Sequence, residues 1–239
     1  MEEKFNPDLH SRAIVALDVS LPDALRIAGD LQGLAGWVKV GMTLYYNAGP
    51  TVVSQLKELG YRVFVDLKLF DIPSQVEGAA SYLTTGGADM FTVHAAGGYK
   101  MLEQALNGAG LAASGDQRDM PLILGVTVLT SMDEAVMQSV GVKGPVDQQV
   151  LRLAELAVQA GLGGIVASPR ELAMLRAAVG SETVIVTPGV RPVGADSNDQ
   201  SRTATPLEAL SNGADYIVVG RPVTAAVNPR EAFLALFDE

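Results

Sequence analysis

The 239-residue chain has no cysteine and only two histidines, His10 and His94. Without cysteine there is no disulfide framework and no thiolate chemistry, a composition that suits a reducing compartment. The histidines lack HxxxH-type spacing, which gives poor prospects for a zinc site; a Mg²⁺ site built from scattered carboxylates stays open at this point. Basic residues form no block, and net charge is −10. That argues against nucleic acid, which is bound through clustered Lys and Arg. Any anionic substrate must then be captured by a local site. No apolar run reaches the roughly 20 residues needed to span a bilayer. Residues 1–5 are charged and carry no apolar signal region, so a cytoplasmic location is expected. No GxGxxG follows the first strand and no GxSxG elbow occurs, so neither the dinucleotide fingerprint nor the serine-hydrolase turn is present.

What the chain does have is Ala, Val, Leu and Gly, within a hydrophobic content of 48% and an aromatic content of 5%. This suits helices packed on parallel strands. Short β-branched runs alternate with longer helical patterns. Strands are expected at 13–18, 37–41, from 62 into the motif described next, and at 90–94, 122–128, 164–167, 183–187 and 216–220. Helices are expected at 22–34, 44–59, 73–85, 98–113, 146–160, 169–178, 205–212 and 229–237. Eight strand–helix units in this length indicate a (β/α)8 TIM barrel, an α/β fold, as a single domain with residues 1–12 as an N-terminal arm. A doubly wound sheet is the alternative.

The third strand ends in Asp66-Leu67-Lys68-Leu69-Phe70-Asp71-Ile72-Pro73. Alternation turns Phe64, Asp66 and Lys68 to one face and Val63, Val65 and Leu67 to the other. Ionisable groups there are costly unless they pair or perform chemistry. A structural ion pair is the plain reading. A barrel favours chemistry, because its catalytic groups collect at the C-terminal ends of the strands. Those ends carry Asp18, Lys39, Asp66 with Lys68, His94, Thr130, and Gly220-Arg221. Lys39 could be a counter-ion for Asp18 or Asp66, and Asp18 could cap the helix near Pro22. Thr130-Ser131 could cap a helix or touch substrate. His94 reads as structural, and His10 as part of a polar arm with no partner nearby. Loops after strands seven and eight commonly hold phosphate in such barrels. Here Gly220 would let a backbone N–H approach an oxyanion and Arg221 would supply a charged fork. Residues 189–203, rich in Gly, Ser and Asn, read as a lid that grips the phosphate.

Taken together, Ala16-Leu17-Asp18, Val38-Lys39-Val40-Gly41, Asp66-Leu67-Lys68-x-x-Asp71-Ile72-Pro73, residues 125–131, Thr187-Pro188-Gly189-Val190-Arg191 and Gly220-Arg221-Pro222 resemble the orotidine 5′-phosphate decarboxylases of the shorter, bacterial-type group. The resemblance spans nearly the whole chain. Leu69-Phe70 departs from it, where many members have an aromatic residue and then a histidine. Mg²⁺-dependent decarboxylases of 3-keto-gulonate 6-phosphate share the third-strand motif. They place a metal-binding glutamate where this chain has Lys39, and a lysine there repels Mg²⁺. The resemblance implies conversion of orotidine 5′-monophosphate to uridine 5′-monophosphate and CO2 in pyrimidine biosynthesis, with no metal and no cofactor. It implies Lys68, Asp66, Asp71 and Lys39 as catalytic groups. Asp18, Gln75, Thr130, Arg191, Gln200, Gly220 and Arg221 would join them in binding substrate. It further implies a homodimer in which Asp71 and Gln75 reach the partner's site. A non-catalytic nucleotide-binding barrel is the rival of another class, and an intact Asp66/Lys68/Asp71 set argues against it.

Overall fold

The computed structural model describes residues 5–192 and 204–238. Eight parallel strands close into a barrel in chain order: β1 (Ala13–Ala16), β2 (Trp37–Gly41), β3 (Arg62–Leu69), β4 (Met90–His94), β5 (Leu122–Val126), β6 (Gly164–Val166), β7 (Val184–Thr187) and β8 (Tyr216–Val219). β8 returns to β1 through the pairs Ala13↔Ile217, Ile14↔Val218 and Val15↔Val219. The expected (β/α)8 barrel is present, and closure rules out the open doubly wound sheet.

Strand alternation builds two apolar layers. Ile14, Ala16, Trp37, Phe64, Met90, Leu124, Val186 and Val218 fill the barrel. Their neighbours Val15, Val38, Val63, Val65, Phe91, Ile123, Ile185 and Ile217 pack outward. At the N-terminal end of the barrel the Arg62 guanidinium lies 4.5 Å over the Trp37 ring, and Tyr216 meets that ring edge-on at 5.7 Å. This closes the end away from the polar residues with a cation–π and aromatic contact.

A short helix, α1 (Pro7–His10), precedes the barrel. The outer layer is α2 (Leu21–Leu31), α3 (Met42–Ala48), α4 (Thr51–Glu58), α5 (Pro73–Thr85), α6 (Tyr99–Asp116), α7 (Glu134–Ser139), α8 (Val146–Gln159), α9 (Leu172–Val179), α10 (Pro206–Ser211), α11 (Arg221–Thr224) and α12 (Pro229–Leu234). Local chemistry sets their starts. Ser20 caps α2, and Thr205 with Glu208 forms a capping box on α10. Asp18 is therefore not the cap of α2. The single helix expected over 44–59 is two helices. Gly49 takes φ +73 and Pro50 has no N–H to continue the ladder. The short helices α7 and α11 fall where alternation marks only loop, because so few residues carry no periodic signal. Among the described residues no helix is long and apolar enough to cross a membrane.

His10 corrects another expectation. It is fully buried, with the rings of Phe5, Phe233 and Phe237 at 5.0, 5.3 and 4.9 Å. Its nitrogens face the carbonyls of Asn6 and Leu234 at 2.8 and 3.3 Å. Far from being a lone polar residue, it ties the N-terminal arm to the C-terminal helix.

Gly108 of α6 lets that helix pack backbone to backbone on α5, because a Cβ there would overlap the Glu77 carbonyl oxygen. Backbone cannot yield as a flexible side chain can. Gly108→Ala should therefore destabilise the fold by about 1–3 kcal/mol. Thermal unfolding checks this, and an unchanged Tm would show that the two helices can separate freely.

Candidate active site

Four charged side chains from three adjacent strands meet at the C-terminal mouth of the barrel. Lys39 of β2 is buried. Its Nζ lies 3.1 Å from Asp18 Oδ1, just beyond β1, and 3.4 Å from Asp66 Oδ2 on β3. Lys68 Nζ donates to Asp66 Oδ1 at 2.8 Å. The sequence-expected set Asp18, Lys39, Asp66 and Lys68 thus forms one array in which carboxylate and ammonium alternate. Burial pushes the Asp66 carboxyl upward. The ammonium groups of Lys39 and Lys68, with hydrogen bonds from Lys68 and Thr92, outweigh that and hold it below the usual carboxylate value. Among the described residues no group of three or more His, Cys, Asp or Glu side chains could hold a metal ion.

β3 carries Lys68 in an unusual way. Between the pairs Val65↔Phe91 and Leu69↔Val93, three residues of β3 stand opposite the single Thr92 of β4. One extra residue would have turned Lys68 to the outer face; two extra preserve the alternation. Lys68 itself sits at φ +52, a left-handed conformation that costs a non-glycine residue about 1–2 kcal/mol. Such strain gathers at functional sites.

The array lines a cavity of about 500 Å³, within the usual range for a small-molecule site. Its opposite wall is apolar: Val126 at the end of β5 with Val128 and Leu129 beyond it, Val166 and Ala167 at β6, and Val186 and Val218. Alternation along β5 to β8 could have found these residues, but they carry no polar signal. Thr130 also lines the cavity. The cap of α7 is Asp133, which accepts the Val136 N–H at 2.9 Å, so the capping alternative for Thr130-Ser131 falls away. Gly189, Arg191, Gly220 and Arg221 also line the cavity. Arg191 N–H bonds the Ala204 carbonyl at 3.0 Å, which ties the two ends of the long seventh loop together. Gln200 and positions 193–203 of the expected lid lie outside the described residues.

Gly41 was missed by sequence reasoning. Its φ of −86 suits any residue, so it is not there for a turn. It is there for space: a Cβ would overlap Asp18 Oδ1 and stand 2.9 Å from Lys39 Nζ. Asp71 and Gln75 line no part of this chain's own cavity; both are exposed. Asp71 accepts the Ile72 N–H at 2.6 Å and forms no salt bridge among the described residues. Within a single chain, then, Asp71 stands apart from the array of Asp18, Lys39, Asp66 and Lys68. His94 ends β4 half-buried beside the Phe70 ring, 5.5 Å away, outside the cavity lining. Burial and then Lys68 pull its pKa down, against the opposing pull of Asp66.

Residues 11–236 match the model of a family described as "Orotidine 5'-phosphate decarboxylase / HUMPS family". The chain belongs to this family. An orotidine 5′-phosphate decarboxylase of Moorella thermoacetica is 48% identical over 241 residues, covering 100% of this chain and 96% of that protein. One from Heliobacterium modesticaldum is 47% identical, covering 95% of each. Among solved structures, an orotidine 5′-phosphate decarboxylase from Lactobacillus acidophilus superposes with a TM-score of 0.84 at 37% identity, covering 95% of this chain and 98% of that one. Within the orotidine 5′-phosphate decarboxylase / HUMPS family, then, this member keeps its charged strand ends within ion-pair distance of one another.

Because the folded Asp66 carboxyl titrates below its ordinary value of 3.8, it contributes stability that is present at neutral pH. That stability is lost as pH falls through the folded value. Asp66→Asn leaves Lys39 and Lys68 without their shared counter-ion and should cost about 3 kcal/mol at pH 7. The difference from wild type should shrink below about pH 4. Urea unfolding at the two pH values reads both effects. Equal stability at pH 7 with an unchanged acid slope would remove Asp66 from this place in the array.

Proposed function

We propose that this chain acts as an orotidine 5′-phosphate decarboxylase of pyrimidine biosynthesis. It releases CO2 from C6 of orotidine 5′-monophosphate to give uridine 5′-monophosphate, with no metal or cofactor. The observation that carries this reading is the alternating array Asp18, Lys39, Asp66, Lys68 at one wall of a cavity whose other wall is apolar. Within the family, Lys39 stands where a Mg²⁺-dependent sugar-phosphate enzyme would need a carboxylate.

Breaking the C6–CO2 bond leaves an electron pair in the plane of the pyrimidine ring, where the ring offers no resonance sink. The charge must be stabilised electrostatically. Lys68 supplies the ammonium beside C6, stabilises the developing carbanion, and transfers a proton from Nζ to C6 as the C–H bond forms. Asp66, kept ionised by its two lysines, faces the departing carboxylate and aims Lys68. Lys39 and Asp18 hold the ribose hydroxyls, and Thr130 lies by the pyrimidine. The apolar wall excludes water, which strengthens each charge interaction.

Arg191, Gln200, Gly220 and Arg221 take the phosphate, and residues 189–203 close over it as a lid. Phosphate binding then contributes to lowering the chemical barrier as well as to affinity. The whole chain is one barrel domain with residues 1–12 as its arm, and it works in the cytoplasm. Its active form is a homodimer in which Asp71 and Gln75 enter the partner's cavity. Supporting this, Asp71 lies between Phe70 and Ile72, each 62% exposed, an apolar setting suited to burial against a second copy.

Ultraviolet assay with orotidine 5′-monophosphate, with and without EDTA, tests the reading. Turnover insensitive to EDTA is the expected result, and no turnover in either condition would overturn it. Lys68→Ala should abolish turnover while uridine 5′-monophosphate still binds; activity within about tenfold of wild type would take the proton-donor role away. For the dimer, Lys68→Ala and Asp71→Ala chains, each inactive alone, should regain about one quarter of wild-type activity when unfolded together and refolded at equal amounts. No recovery would leave Asp71 working within its own chain.

A further inference from the structure

Thr92 lies on β4 and is 1% exposed. It is not among the residues that line the cavity. It is nevertheless the one residue standing opposite the two extra residues of β3, where the regular ladder between the strands is interrupted. Its hydroxyl does two things there. It accepts the Lys68 backbone N–H at 2.9 Å, replacing the strand carbonyl that the irregularity has removed. It donates to Asp66 Oδ1 at 3.0 Å. That same oxygen accepts from Lys68 Nζ at 2.8 Å, while Oδ2 faces Lys39 at 3.4 Å. Both sides of the carboxylate are therefore occupied, and its plane is fixed from three strands.

We infer that Thr92 is a positioning residue for the decarboxylation: one hydroxyl pins the left-handed backbone of Lys68 and the carboxylate of Asp66 in mutual register. The inference rests on the proposed reaction, with Lys68 as donor and Asp66 beside it. On a regular strand, residues two apart are separated by roughly 6.6–6.8 Å along the strand axis. The left-handed turn at Lys68 bends the chain so that the ammonium folds back onto Asp66. An N–H inside an irregular strand needs an acceptor when buried. Without the Thr92 hydroxyl, the Lys68 N–H loses its acceptor between the flanking pairs Val65↔Phe91 and Leu69↔Val93, and relaxation of the strained φ carries the ammonium away from its carboxylate. The charged groups facing Asp66 are Lys39 from β2 and Lys68 from β3, with Asp18 reached through Lys39 and the titratable His94 of β4 nearby. Thr92 adds a neutral donor to these. Its loss raises the Asp66 carboxyl while leaving the four charges in place.

The test compares Thr92→Val, which keeps the shape and removes the hydroxyl, with Thr92→Ser, which keeps the hydroxyl. Thr92→Ala stands in if the valine variant does not fold. Misplacing catalytic groups by about 1 Å costs on the order of 100-fold in rate, so kcat of Thr92→Val should fall roughly 10–100-fold. KM should stay near the wild-type value, since the ribose and phosphate contacts lie elsewhere. The acid limb of the kcat/KM profile should move to higher pH. Thr92→Ser should restore both kcat and the acid limb. A crystal structure of Thr92→Val should show Lys68 out of the left-handed region. Wild-type kcat and acid limb in Thr92→Val, or a loss that Thr92→Ser does not repair, would overturn the inference. A failure of the reaction itself is separable: a wild-type chain that turns nothing over rejects the decarboxylase reading. The crystal structure still decides the inference, which a Lys68 unmoved in Thr92→Val would overturn.

Discussion

A single carboxylate facing two ammonium groups is the constraint on which the top of this barrel depends. Asp66 Oδ1 is taken by Lys68 and Oδ2 by Lys39, and Lys39 passes the charge on to Asp18. Lys39 is only 7% exposed. Without Asp66 it would be a buried cation leaning on a half-exposed carboxylate, with a second cation close by, which is an expensive arrangement. Those ion pairs also connect β1, β2 and β3 at their C-terminal ends. The apolar side chains of β5 to β8 contribute to the same electrostatics from across the cavity, since a dry wall lowers the local dielectric and strengthens every pair. The glycine at position 41 belongs to this account as well. Its missing Cβ is the room in which Asp18 and Lys39 meet.

Much of this was legible in the sequence, and the reasons differ residue by residue. Strands β2 and β4 fall where their β-branched runs end, because buried parallel strands are short, apolar and punctuated. Asp18, Lys39, Asp66, Lys68, Thr130 and Arg221 could be picked out because a barrel directs attention to its strand ends. The Gly49-Pro50 break was equally visible as chemistry, yet a periodic apolar pattern on both sides masked it. His10 was misread for another reason. Its partners are Phe233, Phe237 and the Leu234 carbonyl, more than 200 positions away, and no local pattern announces a contact at that separation. The same limit hid Thr92 and Gly41. Their importance arises from cross-strand register and from the space around a neighbour's side chain.

The molecule separates what holds it together from what it does. At one end Trp37, Arg62 and Tyr216 close the barrel with a stacked guanidinium and an edge-on ring, contacts that ask nothing of backbone geometry. At the other end the chain tolerates a left-handed lysine. Strain of that kind persists only where surrounding structure over-determines it, and here the surroundings are the flanking pairs Val65↔Phe91 and Leu69↔Val93. Both pairs pack into the outer apolar layer, so the irregular segment is clamped at each side by core residues.

That clamp gives the Asp66-x-Lys68 spacing its physical meaning. On any strand, residues two apart share a face, so the spacing alone states only that both side chains enter the barrel. Reach is a separate matter. Two extra residues in β3 keep the parity, so Lys68 still faces the cavity and Leu67 and Leu69 still pack outward. They also let the backbone curl enough to bring the ammonium to its carboxylate. One extra residue would have sent Lys68 into the helix layer, where a charge has no partner, and none would have left it extended along the strand. A short motif therefore specifies this ion pair only together with the opposite strand, which must supply one residue where β3 supplies three.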